Sequence, residues 1–182
     1  MNMMQHLIDR DVDIMTDNFM VDDESNCAVF PLYNLVGQFV GFHQYKPYGP
    51  KRDHKHPTDS KYFTYLSKPD HKHACAVPYG LDHIDYSANY LCIVEGIFDY
   101  FTLKRAGFNA IAVLMNNPKP MRNLLLCLPF NHIIAVVDGD VAGARLGKFG
   151  TKVMHCPPNT DPNELGINYM SNFLGEFIND IN

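Results

Sequence analysis

Residues 91–100 read LCIVEGIFDY. Four apolar residues run into Glu95 and Gly96, with Asp99 four places beyond the glutamate. A short apolar run closed by a glycine reads as a buried strand. A carboxylate at the rim of a core is costly unless something pairs with it. Asp99 falls on the same face as Glu95 if a helix starts at once, because residues four apart are neighbours there. The stretch therefore predicts a strand, a tight turn and a helix, with two acids gathered at the turn.

The same texture continues downstream. AIAVL (110–114), HIIAVV (132–137) and TKVMH (151–155) are short runs rich in β-formers. Between them lie helical stretches at Phe98–Ala106, closed by Gly107, at Met121–Leu128 and at Val141–Phe149. Strand–helix repetition of this kind predicts an α/β fold with a mostly parallel sheet and helices on both faces. Ligands in such sheets gather beyond the carboxyl ends of the strands. HIIAVV ends there in Asp138-Gly139-Asp140, and TKVMH leads into CPPNTDPNEL with Asp161 and Glu164. Taken singly, each acid reads as a helix cap. Acids at three strand ends on one sheet edge read instead as a cluster for a hard divalent cation, Mg²⁺ or Mn²⁺.

The upstream half is different. A short helix is expected near Met3–Arg10, and the first 26 residues, acidic and Met-rich, show no chemistry of their own. CAVFPLY and GQFVGFHQY are strand-like runs around a turn at Asn34–Gly37, and SKYFTYL is a further strand. PYGLDHIDYSAN reads as a joint, which divides the chain into units 1–88 and 89–182. Net charge is −5 over 182 residues. Residues 46–73 nevertheless carry seven cations against three carboxylates, a local +4 on a body of about −9. This basic strip offers Lys51, Arg52, Lys55, Lys61 and Lys72 to nucleic-acid phosphates, contacts that are chiefly electrostatic. Tyr45, Tyr48, Tyr62 and Phe63 beside it read either as stacking platforms for bases or as ordinary packing.

Other classes are excluded or disfavoured. The five cysteines are scattered and never spaced CxxC, so they read as reduced thiols in a cytoplasmic protein rather than zinc ligands. His54, His56, His71 and His73 lack the companions that would complete a zinc site. No apolar run reaches membrane-span length, and the N-terminus is not built like a signal peptide.

Together these residues resemble the Toprim domain of primases, topoisomerases and some nucleases, in which an apolar strand ends in Glu-Gly and another in Asp-x-Asp. Within that superfamily the chain resembles the catalytic core of DnaG-like and bacteriophage DNA primases. VEGIFDYFTLKRAGF is similar to their VEG-x-x-D helix, IIAVVDGDVAG to their DGD-x-AG turn and NTDPNEL to their DPD loop. VFPLYNLVGQFVGF, SKYFTYLSKP and VPYGL resemble the primase segments that precede the Toprim domain, so the likeness runs in order from about residue 27 to 167. Three positions depart from the pattern. The second acid of the DPD loop is Asn163, with Glu164 beside it as a substitute. The family's arginine after the GF strand falls at Tyr45, and its lysine before LYGL falls near Ala74.

The resemblance implies a small mixed α/β subdomain followed by a Rossmann-like Toprim domain. It implies nucleotidyl transfer that makes short RNA primers on single-stranded DNA, using two cations roughly 3.5–4 Å apart. Glu95, Asp138 and Asp140 would be catalytic, and Glu95, Asp99, Asp138, Asp140 and Asp161 would hold the metal. Implied partners are the DNA template, ribonucleoside triphosphates, and a replicative helicase or a separate zinc-binding template-recognition protein, since the chain reads as the catalytic core alone. The place implied is the bacterial cytoplasm, with a phage origin open. Two alternatives stand beside this: a non-catalytic Toprim module that binds nucleic acid or a replication partner, and a Toprim nuclease.

Overall fold

The computed structural model describes residues 2–51, 55–67, 76–115, 117–140 and 143–181. The first helix, α1 (Met3–Ile8), is capped by the Asn2 side chain, which accepts the N–H of Met4 and Gln5. Its Met3 and Leu7 are fully buried. An antiparallel sheet follows: β1 (Met20–Asp22), β2 (Cys27–Tyr33), β3 (Phe39–Tyr45) and β4 (Tyr62–Leu66), paired in chain order. β1 reaches only to Val29 of β2, so at Pro31 the sheet has an edge, the place where a proline is tolerated. The expected hairpin turn is present, with the Gly37 N–H donating to the Asn34 carbonyl.

The second sheet is parallel throughout, in the order β6-β5-β7-β8. Its strands are β5 (Tyr90–Val94), β6 (Ala110–Ala112), β7 (His132–Val137) and β8 (Lys152–His155). Tyr79 of the joint segment bridges to Ala112 at the sheet's edge. Helices α2 (Ile97–Arg105) and α5 (Pro162–Ile181, broken at Gly166 with φ 79°) cover one face. Helices α3 (Arg122–Cys127) and α4 (Gly143–Leu146) cover the other. The fold is the expected α/β arrangement, an antiparallel sheet followed by a parallel one flanked by helices.

Helix α2 sits between the two sheets. Phe30 of β2 packs its ring against Phe98 and Phe101 of α2, with centroids 6.4 and 5.6 Å away. Consequently every residue from Ile97 to Leu103 is buried, a helix apolar on nearly all sides. Asp99 and Thr102 are the exceptions in composition, and the burial of the Asp99 carboxylate is what the site has to accommodate.

Candidate metal centre

Glu95 ends β5, and α2 begins two residues later. The turn is held by Asp99, whose Oδ2 accepts the Gly96 N–H at 3.0 Å, while its Oδ1 accepts the Asn163 N–H at 3.3 Å. Asp138 ends β7. Gly139 is required next, because any Cβ there would collide with the Pro157 carbonyl. The bare backbone lets the loop after β8 pair with it: Gly139 N–H donates to Thr160 O at 2.9 Å, and Asn159 N–H donates to Gly139 O at 3.0 Å. That pairing delivers Asp161 to the same edge. Glu95, Asp99, Asp138 and Asp161 line one cleft of about 270 Å³. Asp140 stands near enough that its charge raises the pKa values of both Glu95 and Asp138.

The cap reading holds for Asp140, Asp161 and Glu164. Asp140 Oδ1 accepts the Gly143 N–H at 2.8 Å and so caps α4. Asp161 and Glu164 form a reciprocal capping box at the start of α5, with N–H···O distances of 2.7 and 3.3 Å. Glu164 thus turns its carboxylate to the cap and is exposed. Glu95 is different: its Oε2 is buried without a hydrogen-bond partner among the described residues.

The electrostatics follow from crowding. Burial first, and then the charges of Glu95, Asp161, Asp140 and Glu164, push Asp138 up to about 7. Burial, then Asp140, raises Glu95. Burial, then Asp161 and Asp138, raises Asp99, opposed by its two backbone hydrogen bonds. Nearby Cys156 is pushed up to about 12 by burial and the charges of Asp138, Asp99 and Asp161. A negatively charged all-oxygen set with an orphaned buried carboxylate oxygen fits a hard divalent cation. Among the described residues, no three of these groups converge into a formed coordination shell.

The cleft also has a cationic wall. Lys51 lines it, and so does Arg10, whose guanidinium lies 4.0 Å over the Phe98 ring and whose buried Nε has no partner among the described residues. The Lys61 ammonium is lowered by burial and then by the charges of Lys51 and Arg10, which places the three cations together. Lys55 is exposed beside the short turn at Pro57–Asp59. Arg52 and Lys72 of the predicted strip, like His54, His71 and His73, lie outside the described residues.

Arg10 comes from the first 26 residues, in which the sequence showed no chemistry. A Schellman turn ends α1, with Asp11 N–H bonded to Ile8 O and Val12 N–H to Leu7 O, and Asp11 at φ 65°. That turn sets Arg10 over the cleft. Tyr45 gives the cleft no charge: it is buried, edge-on to Phe98 at 4.7 Å and hydrogen-bonded to His6. Tyr62 faces the cleft, as a stacking platform would.

His43 also lines the cleft, 4% exposed, with Nδ1 2.8 Å from Thr64 Oγ1. Burial lowers its pKa to about 4. A depressed histidine contributes stability that is complete above its unfolded value near 6.5 and is lost as pH falls toward 4. We expect His43→Gln to remove this sensitivity, worth about 3 kcal/mol across that window, in urea melts run from pH 7 to 4.5. Asp138 titrates with the opposite sign, so the variant should become more stable, not less, as pH falls from 7 to 5.

Comparison with known proteins bears on the fold. Residues 89–156 match the family model of the Toprim domain. A DnaG catalytic core superposes with a TM-score of 0.62 at 22% identity, covering 86% of this chain and 53% of that one. The primase fragment of the bacteriophage T7 primase-helicase gives 0.62 at 18% identity, covering 87% and 64%. A DnaG primase catalytic domain bound to ssDNA gives 0.56 at 23% identity, covering 88% and 55%. No curated protein matches the chain by sequence. Residues 89–156 are thus a Toprim domain, and most of the chain has the fold of the DnaG primase catalytic core. The chain spans about half the length of the first of these cores. No helix among the described residues is long and apolar enough to cross a membrane.

Proposed function

We propose that the chain is the core of a primase-type nucleotidyltransferase, joining ribonucleotides on a single-stranded DNA template with Mg²⁺ or Mn²⁺. The observation that supports this most is the buried Glu95 oxygen, without a partner among the described residues, in a cleft lined by acids and by Arg10 and Lys51, with Lys61 close to both cations. Units 1–88 and 89–182 supply this lining between them. Glu95, Asp138 and Asp140 are the cation ligands, with Asp161 at their margin. Asp99, both of whose oxygens accept backbone N–H, holds the Glu95–Gly96 turn. When bound, a pair of cations would activate the attacking hydroxyl and neutralise the leaving phosphate. Glu95 receives the proton of the primer hydroxyl, and the cationic wall orients nucleotide and template phosphates. Template-dependent incorporation of labelled ribonucleotides tests this reading.

The basic strip gives a separate expectation. Replacing Lys51 and Lys61 by alanine weakens binding of a single-stranded oligonucleotide and lowers the slope of log K against log salt by about 1.4, as two fewer counterions are released. Filter binding from 50 to 200 mM salt measures it. An unchanged slope would move the DNA path elsewhere. The accessory-module reading has one observation in its favour, the Asn163 side chain, which hydrogen-bonds to Thr102 and Asp11.

A further inference from the structure

The side chain of Asn163 meets residues from two other elements. Its Nδ2 donates to Thr102 Oγ1 of α2 at 2.9 Å and to Asp11 Oδ2 of the N-terminal turn at 3.4 Å. Thr102 in turn donates its hydroxyl to the same Asp11 oxygen at 2.6 Å. The Phe98 carbonyl lies farther from that hydroxyl, at 3.2 Å, and a hydroxyl has one proton, so once Thr102 gives it to Asp11 it can only accept from residue 163. The amide nitrogen therefore satisfies both contacts, whereas a carboxylate there would compete with Asp11 for the single Thr102 proton and leave two charges facing each other. The backbone N–H of Asn163 meanwhile reaches Asp99, whose other oxygen holds Gly96 beside Glu95. The residue on the other side of Asp11 is Arg10, stacked on Phe98 above the cleft.

We propose that Asn163 is a positioning residue: a neutral latch that ties the Asp11 turn, and with it Arg10, to the carboxylate turn at Glu95, and not a ligand of the cation. The metal half of this proposal rests on the function proposed above; the latch itself does not. One chain of contacts runs from Asp11 through Thr102 and Asn163 to Asp99 and Gly96. It joins the cationic wall to the acidic wall and fixes the gap in which a phosphate and its cation would lie. The acid-to-amide change at 163 is then matched to the acid at 11, since one carboxylate and one amide satisfy the pair and two carboxylates do not.

The test is an exchange of the two groups. Asn163→Asp, Asp11→Asn and the double variant are compared with wild type by thermal melting in chelator-treated buffer at pH 7.5, and by Mn²⁺ titration followed by electron paramagnetic resonance. We expect Asn163→Asp to melt about 4 °C lower and to bind Mn²⁺ roughly tenfold more weakly, the usual loss when support behind a ligand is removed. Asp11→Asn keeps an acceptor for Thr102 and should stay near wild type. The double variant should recover both melting temperature and Mn²⁺ affinity, because it restores one amide and one carboxylate. If the single variant does not fold, folding of the double variant is itself the expected rescue. The proposal is overturned if Asn163→Asp binds Mn²⁺ more tightly with an undiminished melting temperature, as a restored ligand would, or if the double variant melts no higher than the single. Should wild type bind no Mn²⁺, the proposed function fails while the metal-free melting series still decides the latch.

Discussion

At pH 8 and without metal, Asp138→Asn melts about 3–6 °C above wild type, and it lacks the further rise that millimolar Mn²⁺ gives the wild-type protein. The sign comes from the surroundings of Asp138. Burial and four neighbouring acids push its carboxyl to about 7. A carboxyl raised in the folded state favours folding when protonated, so its contribution is complete below the ordinary range and is lost as pH rises through 7. At pH 8 the folded protein therefore holds a charge it disfavours. Because Asp138 is partly open to water, the full displacement must be discounted, to on the order of 1–2 kcal/mol. Asparagine keeps the shape and removes the charge. The gain should shrink toward pH 5, where wild-type Asp138 is already neutral. Mn²⁺ at ten times its Kd should stabilise wild type by about 1.4 kcal/mol. A variant that melts below wild type at pH 8, or that responds to Mn²⁺ as wild type does, would remove Asp138 from the cation site.

Glu95→Gln should reduce ribonucleotide incorporation by about a thousandfold, within the range for loss of a group that moves a proton in the reaction. The protein should fold as before. Glu95 Oε2 is buried with no partner among the described residues, so the substitution breaks no hydrogen bond at that oxygen. It also lifts the repulsion from Asp140 that raises the Glu95 pKa. The melting temperature should hold or rise slightly while activity disappears. A purely structural glutamate would behave the other way, losing several degrees and keeping the proportion of activity that remains folded. Single-stranded DNA binding serves as a control, because the cationic wall is untouched.

The parallel half was legible because its signals are local. Each apolar run of β5, β7 and β8 stops at a glycine or proline turn carrying acids, and in a parallel sheet those turns necessarily meet at one edge. Helix α5 went unread, although Met170, Leu174 and Ile178, four apart and all buried, mark its inner face. The reading stopped short of that helix because Gly166 interrupts the pattern just after it begins. Arg10 was not legible. Where the turn after α1 points depends on Met3 and Leu7 packing into a core shared with α2 and α5, contacts far along the chain. The only local sign is a cation held between Asp9 and Asp11 at the end of a capped amphipathic helix. The orientation of Asn163 was hidden for a similar reason, since its partners come from residues 11 and 102. Asp99 lines the same cleft as Glu95, and its hydrogen bond from the backbone N–H of residue 163 is one that no spacing reveals.

One measurement bears most directly on the central claim that the acidic edge and the cationic wall together make a nucleotidyltransferase. Labelled ribonucleoside triphosphates are incubated with the protein, single-stranded DNA of mixed sequence and Mg²⁺ or Mn²⁺, with and without a replicative helicase, and the products are resolved at single-nucleotide length. The account predicts di- to short oligoribonucleotides that require template and metal, vanish with chelator and are absent with Glu95→Gln. Wild-type protein that binds the DNA and Mn²⁺ but forms no dinucleotide under any of these conditions would contradict it.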